Sequence, residues 1–290
     1  MYEAHSFGNT VLNGMWFHFS EDAKAFNRDG QYMWSDRILF TPVLIQNADT
    51  VRGYFPKGVW YSLFDYSAII CYQGREIDLP TDLQSTNVHV RGGSVIPMQD
   101  YANTTAAART TPFTLLIALD RNEQATGTLY LDDGDNDNKY CYMNYMVAKD
   151  RLSSEIIDCN LYYSASPVLK TVRILGVRLI EDCDDFEACK CFGSIYLPDH
   201  THYEASHISI EYSNPPNLAI HFYNTNISIS SNYSIHWLCR SDKNEDSILF
   251  SKSFLFLLII SVVAIFVIAS FPLIIQDDGN EYILLDTRRI

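Results

Sequence analysis

The chain has 290 residues, with 21 Lys and Arg against 35 Asp and Glu and a formal net charge of −14. That balance excludes nucleic acid and anionic membrane surfaces as electrostatic partners, because phosphate contacts need Lys and Arg. The length is sufficient for two modest hydrophobic cores.

In chain order, the first strand signal is Gly53-Tyr54. Phe55-Pro56-Lys57-Gly58 follows as a tight turn with Pro second and Gly fourth, and a strand starts at Val59, which predicts a hairpin. Phe113 to Leu119 is a nearly continuous apolar run of strand length, so both its faces are expected to be covered. The polar segment Asp120 to Gln124 reads as its turn and Thr126 to Leu131 as its return strand, a second hairpin in a sandwich core. Val172 and Ile174 alternate, then Leu175, Val177 and Leu179 continue on the opposite face, so Gly176 reads as a β-bulge. Ile208, Ile210 and Tyr212 line a strand, the Pro-containing break Ser213 to Asn217 ends it, and Leu218, Ile220 and Phe222 alternate on the way back. Tyr233, Ile235 and Trp237 line one more strand. No helical amphipathic pattern of useful length lies between Thr41 and Cys239, so the pattern predicts two consecutive all-β domains.

Phe254 to Ile275 is a run of 22 residues without a charge. As a helix it extends about 33 Å, which predicts a single transmembrane span. Arg240, Lys243 and Lys252 precede the run and Arg288 and Arg289 follow it, which alone weakly favours a cytosolic body. Three glycosylation acceptors, Asn103-Thr-Thr, Asn226-Ile-Ser and Asn232-Tyr-Ser, together with seven cysteines, favour a lumenal or extracellular one. The odd cysteine count leaves at least one free or paired elsewhere, and disulfides are the leading reading. A metal cluster of Cys183, Cys189 and Cys191 with His200 and His202 is the alternative, but the Cys-x-Cys spacing lacks a matching Cys-x-x-Cys knuckle. No metal and no cofactor is expected.

Other motifs fail on chemistry. Aligning Asp133, Asp135 and Asp137 with the first three ligands of a calcium loop puts Asn138 where Gly is needed and Asn144 where a bidentate Glu is needed. Asp132 and Asp133 are adjacent at a strand end and point to opposite faces, so they cannot face each other as a glycosidase pair. Gly92-Gly-Ser94 lacks the second glycine of a nucleophile elbow, and Gly53 to Gly58 lacks the Lys-Ser/Thr of a phosphate loop. The 19 Tyr and 16 Phe invite a carbohydrate-platform reading, with Trp60 and Tyr61 the first candidates, against the plainer reading of sandwich-core filling.

Four segments in one order carry unusual wording: Gln31-Tyr-Met-Trp34 running into Leu39-Phe-Thr-Pro-Val-Leu44, Gly53-Tyr-Phe-Pro-Lys-Gly-Val-Trp60-Tyr61, Asn87-Val-His-Val-Arg-Gly-Gly-Ser-Val-Ile-Pro97, and Leu131-Asp-Asp-Gly134. Together they resemble the C-terminal part of glycoside hydrolase family 31, in the branch of lysosomal acid α-glucosidase, maltase-glucoamylase and sucrase-isomaltase. The resemblance implies a mainly β fold with two consecutive β-sandwich domains after a remnant of a (β/α)8 barrel, plus one C-terminal transmembrane helix. Its implied boundaries are 1–37 for the end of the barrel, 38–121 and 122–246 for the proximal and distal sandwiches, 254–275 for the span and 276–290 for a cytoplasmic tail.

The resemblance also implies that the nucleophile, the first Asp of a Trp-x-Asp-Met-Asn-Glu segment, and the acid/base Asp lie upstream. Neither motif occurs here, so no catalytic residue and no substrate-binding residue is assigned. Asn13, Gly14 and His18 stand at the Arg, Pro and Glu positions of the family's Arg-Pro-Leu-Phe-Phe-Glu-Phe run, and Ser35 stands where Gly is usual. The implied function is the C-terminal portion of a membrane-tethered, retaining α-glucosidase acting on an α-glucoside or oligosaccharide in the full-length enzyme. This chain alone is expected to be inactive, its body lumenal (lysosomal or endosomal) or extracellular. Tyr282-Ile-Leu-Leu285 in the tail resembles a sorting signal, with Tyr282 and Leu285 as anchors. The alternative is a non-catalytic, membrane-anchored module that binds glycans or a partner.

Overall fold

The computed structural model describes residues 2–83, 86–134, 139–160, 167–177, 189–199, 201–204, 208–213 and 217–241. In chain order the elements are α1 (Tyr2–Phe7), β1 (Leu12–Gly14), α2 (Met15–His18), the 3-10 turn Ala23–Ala25, β2 (Tyr32–Trp34), β3 (Ile38–Phe40), β4 (Thr50–Phe55), β5 (Gly58–Ser62), β6 (Ala68–Cys71), β7 (Arg75–Pro80), β8 (Val88–Arg91), β9 (Ser94–Gln99) and α3 (Thr105–Ala108). They continue as β10 (Phe113–Ala118), β11 (Gln124–Asp132), β12 (Tyr140–Ala148), β13 (Arg151–Cys159), β14 (Val168–Val177), β15 (Cys189–Tyr196), β16 (His202–Glu204), β17 (Ile208–Ser213), β18 (Asn217–Ser228) and β19 (Tyr233–Ser241). The described fold is therefore mainly β.

Three sheets form: β1-β2-β3-β8-β5-β6, the pair β4-β7, and β16-β15-β19-β13-β12-β11-β9-β10-β14-β18-β17. The six-stranded sheet is covered on both faces, which explains why Val59, Trp60 and Tyr61 of β5 are all buried. Trp60 joins Met33, Leu39, Tyr54, Phe55 and Leu79 in one core, toward the β4-β7 pair. Val59 and Tyr61 join Val90, Leu116, Ala118, Leu175 and Ala219 in another, toward the large sheet. The large sheet folds back on itself around a third core that includes Phe113, Leu115, Ile117, Met143, Tyr145, Ile174, Phe222, Ile235 and Trp237. Residues 113–119 thus bury alternate side chains into two cores, as a continuous apolar strand requires.

Two expected pairings are corrected. The segment Phe55 to Gly58 is a corner between sheets, not a hairpin: β4 pairs with β7, while β5 pairs with β6 and β8. β5 is apolar on both faces and moves to an interior position, while β4 keeps Thr50 and Arg52 exposed. The buried Trp60 indole holds the corner by donating to the Pro56 carbonyl at 3.0 Å, which satisfies its only donor. Likewise β10 and β11 both form, yet β9 lies between them. Asp120 Oδ1 accepts from the backbone N–H of Asn122 at 2.8 Å and of Gln124 at 2.9 Å, and Glu123 sits at φ 58°, so the turn sends the chain past β9.

The bulge at Gly176 is present: its φ is 80° and the β14–β18 register shifts between Leu175 and Val177. Leu175 faces the second core as expected, but the inserted residue returns Val177 to the first face, with Val172 and Ile174. Leu179 lies outside the described residues. β17 and β18 form the expected hairpin, and β19 buries Tyr233, Ile235 and Trp237.

The polypeptide divides into a compact unit of residues 1–184 and 190–240 and a second unit of 185–189 and 241–290. Nearly all of the second, including the apolar run 254–275, Tyr282 and Leu285, lies outside the described residues. Among the described residues no helix is long and apolar enough to cross a membrane.

Candidate functional site

The main concave feature of interest is an open groove of about 680 Å³ where the first forty residues meet the large sheet. Its floor is Val95, Ile96 and Pro97 of β9 with Thr128, Tyr130 and Tyr142 of β11 and β12. Its rim carries Phe17, His18, Trp34, Asp36 and Arg37. Short elements bring these rim residues together. β1 pairs with β2, setting Leu12 opposite Trp34 and Asn13 opposite Met33, and the single turn α2 then folds His18 back over Asn13.

The Asn13 amide donates to His18 Nε2 at 3.1 Å, which requires the neutral imidazole. Burial holds the His18 pKa below its ordinary value, Asp36 opposes that and Arg91 reinforces it. Asn13, Gly14, His18 and Ser35 are the positions where the sequence departs from the resembling run, and all four lie at or beside this groove. Ser35 has a φ of 50°, in the left-handed region where glycine is favoured. Arg37 ties the rim to the floor, donating to the Thr126 carbonyl while its guanidinium lies 3.6 Å from Asp36.

The aromatic lining is concentrated on the sheet. Tyr130 and Tyr142 are directly opposite on β11 and β12. The Tyr2 ring of α1 stacks on Tyr130 at 4.5 Å and 14° and lies 4.8 Å from Tyr142. Sequence reasoning missed this group, although Tyr140 and Tyr142 alternate with Cys141, Met143, Tyr145 and Val147, the signature of a strand with one aromatic outer face. The candidates it did single out, Trp60 and Tyr61, are 0% and 2% exposed and belong to cores, so they form no platform.

Asp132 and Asp133 have separate partners: Arg109 at 2.6 Å and Lys139 at 3.8 Å. Asp135, Asp137 and Asn138 of the rejected calcium loop lie outside the described residues. Cys141 is bonded to Cys159 and Cys191 to Cys239, while Cys71 is a buried free thiol. The second bond removes Cys191 from the alternative metal set; Cys183 and His200 lie outside the described residues. Asn103, Asn226 and Asn232 are all exposed, on the segment before α3, on β18 and before β19. The Asn232 side-chain oxygen accepts from the Ile156 backbone N–H at 2.8 Å.

Comparison with known proteins gives one consistent relationship. Residues 8–96 match the family described as glycosyl hydrolase family 31 C-terminal domain. An α-glucosidase of Hordeum vulgare is 35% identical over 190 residues, covering 61% of this chain and 22% of the relative. Intestinal sucrase-isomaltase of Oryctolagus cuniculus is 30% identical over 244 residues, covering 81% of this chain and 12% of the relative. The chain thus spans less than a quarter of either relative. Among solved structures, the glucosidase II alpha subunit superposes with a TM-score of 0.72 at 17% identity, covering 82% of this chain and 26% of that one. At that identity the likeness concerns the fold alone.

Proposed function

Because the chain belongs to glycosyl hydrolase family 31 through the C-terminal domain matched at residues 8–96, we propose that it is the C-terminal portion of a membrane-tethered α-glucosidase. In this reading residues 1–37 end the catalytic barrel, 38–121 and 122–246 are the proximal and distal β-regions, and both catalytic carboxylates lie outside the 290 residues. The enzyme hydrolyses terminal α-linked glucose with retention, through one carboxylate nucleophile and one carboxylic acid, and this chain supplies the scaffold that supports the barrel.

The observation that carries the reading is the distribution of exposed apolar side chains. Phe7, Leu12, Trp16, Phe17, Phe26, Tyr32, Trp34, Val43, Leu44 and Ile45 are all exposed within one short stretch of the N-terminal part. A concentration of this kind marks an interaction surface, and the rest of the barrel, packed against residues 7–45, would cover it. Supporting the lumenal placement, the acceptors Asn103, Asn226 and Asn232 are exposed and open to glycosylation. The uncharged run 254–275 would anchor the body, and Tyr282 and Leu285 would sort it.

The test is turnover of maltose and of an aryl α-glucoside by the 290-residue chain, alone and joined to the upstream barrel. Activity is expected only with the barrel. Turnover by the chain alone, abolished by substituting one of its own carboxylates, overturns the assignment.

A further inference from the structure

We propose that the outer face of β15, β19, β13 and β12 seats an N-linked glycan carried by Asn232, which lies along a serine-floored trough and covers the apolar side chains beside it. This rests on the lumenal placement proposed above. Val147, Leu152, Ile195 and Ile235 belong to the core of the large sheet, so the alternate residues Met146, Ser153, Tyr196 and Ser234 project from the opposite face. Met146 stands opposite Ser153 and Ser153 opposite Ser234, while Tyr196 reaches the same face from β15, edge-on to His236 at 4.8 Å. Two short hydroxyl side chains thus lie between two large ones.

Across four strands these walls stand about 14 Å apart, wide enough for a pyranose. Both are exposed, Met146 at 61% and Tyr196 at 41%, and Ile157, inserted by the register shift in β13, adds a third exposed apolar side chain. The Tyr196 ring is also held in place, stacked on His202 at 5.6 Å and 15°. A fixed aromatic ring receives sugar C–H groups, and serine hydroxyls exchange hydrogen bonds with the hydroxyls and acetamide of the first sugar.

Asn232 sits at the head of the trough. It precedes β19, two residues before Ser234, and is exposed. Its Oδ1 accepts from the Ile156 backbone N–H at 2.8 Å, so the carboxamide is anchored to β13 through oxygen, and Nδ2, the atom that takes the sugar, is left outside that bond. The tether decides the occupant. One sugar–tyrosine contact is too weak to hold a free saccharide, but a covalently attached one meets the trough at high effective concentration. A second copy of the chain is disfavoured, since each carries a net charge of −14.

The full chain joined to the upstream barrel, made in glycosylating cells, is compared with four variants. Ser234→Ala removes the Asn232 acceptor sequence, Ser234→Thr keeps it, Tyr196→Ser removes one wall, and Thr105→Ala removes only the Asn103 acceptor sequence. Peptide mass spectrometry reads the occupancy of the three asparagines and the rate at which peroxide converts Met146 to its sulfoxide. Met146 is expected to oxidise about three- to tenfold faster in Ser234→Ala and Tyr196→Ser than in the unaltered protein, the population shift that one aromatic contact sustains. Ser234→Thr and Thr105→Ala keep the slow rate, and Met98 on β9 reacts equally in every protein. Because Tyr196→Ser keeps the acceptor sequence, that arm stands even if Ser234→Ala fails to fold. Unmodified Asn103, Asn226 and Asn232 overturn the lumenal placement and this inference together. A bare Asn232 beside a modified Asn103 or Asn226, or an occupied Asn232 with equal Met146 rates throughout, overturns this inference alone. Protection of Met146 in Ser234→Ala that grows with protein concentration assigns the face to a second copy instead.

Discussion

The Tyr61 hydroxyl donates to the Leu119 carbonyl at 2.9 Å and occupies the space that a Cβ on Gly176 would need. Three segments far apart in the chain therefore meet at one oxygen atom, where the six-stranded sheet touches the large one. Gly176→Ala is expected to destabilise by about 2–4 kcal/mol, from overlap with Tyr61 added to the left-handed backbone. Tyr61→Phe is expected to cost about 1–2 kcal/mol through the lost bond. In the Tyr61→Phe background the glycine substitution should cost less, because the overlapping atom is gone. Urea denaturation of the four proteins measures this, and equal glycine costs in both backgrounds would show that the hydroxyl is not the obstacle.

Ser35 is a serine in the left-handed region at φ 50°. Replacing it with glycine removes strain of about 1–2 kcal/mol and loses part of that gain to unfolded-chain entropy. Ser35→Gly should therefore raise stability by about 0.5–1 kcal/mol, read as a higher melting temperature. A lower one would mean that the hydroxyl makes a compensating contact.

His89 on β8 is 4% exposed, edge-on to Phe55 at 4.8 Å, and its Nδ1 has no hydrogen-bond partner among the described residues. Burial lowers its pKa to about 4, with Asp65 opposing the shift. As pH falls the unfolded chain takes this proton before the folded one does. The contribution is thus complete above about 6.5 and is lost progressively down to about 4, by ~3 kcal/mol at most. His89→Gln should flatten the stability profile between those limits relative to the unaltered protein. Parallel profiles would refute the assignment.

The two described disulfides close loops of different length, with sequence separations of 18 and 48. In the chain-entropy account their removal costs about 3 and 4 kcal/mol. Cys191→Ser with Cys239→Ser should accordingly destabilise more than the Cys141 and Cys159 pair of substitutions. Alkylation under native conditions should spare Cys71, which burial keeps protonated as well as inaccessible.

Much of the strand content was legible because it is local. The continuous apolar run at Phe113 to Leu119, the alternation in β14 and the Pro-broken hairpin at β17 and β18 depend on neighbours in sequence. What could not be read was the pairing of β4, β5, β10 and β11. Nothing near Phe55 to Gly58 tells the chain that β4 and β5 enter different sheets, and nothing near Asp120 says that β9 will lie between β10 and β11. The groove was hidden for the same reason: Tyr2, Trp34 and Tyr142 share a wall only after the large sheet is assembled. The departures at Asn13, His18 and Ser35 were visible in the sequence, but their common location was not.

The place of β9 and β10 in the middle of the large sheet has a consequence for any attempt to cut the polypeptide near residue 121. β10 hydrogen-bonds to β14 on one side and β9 touches β11 on the other, so a fragment ending there would expose two raw edges of a strongly apolar ribbon. Such edges recruit other chains. The two β-regions are thus chaperones of one another within a single polypeptide, and a fragment of either would be recovered as aggregate before it could be studied as a module.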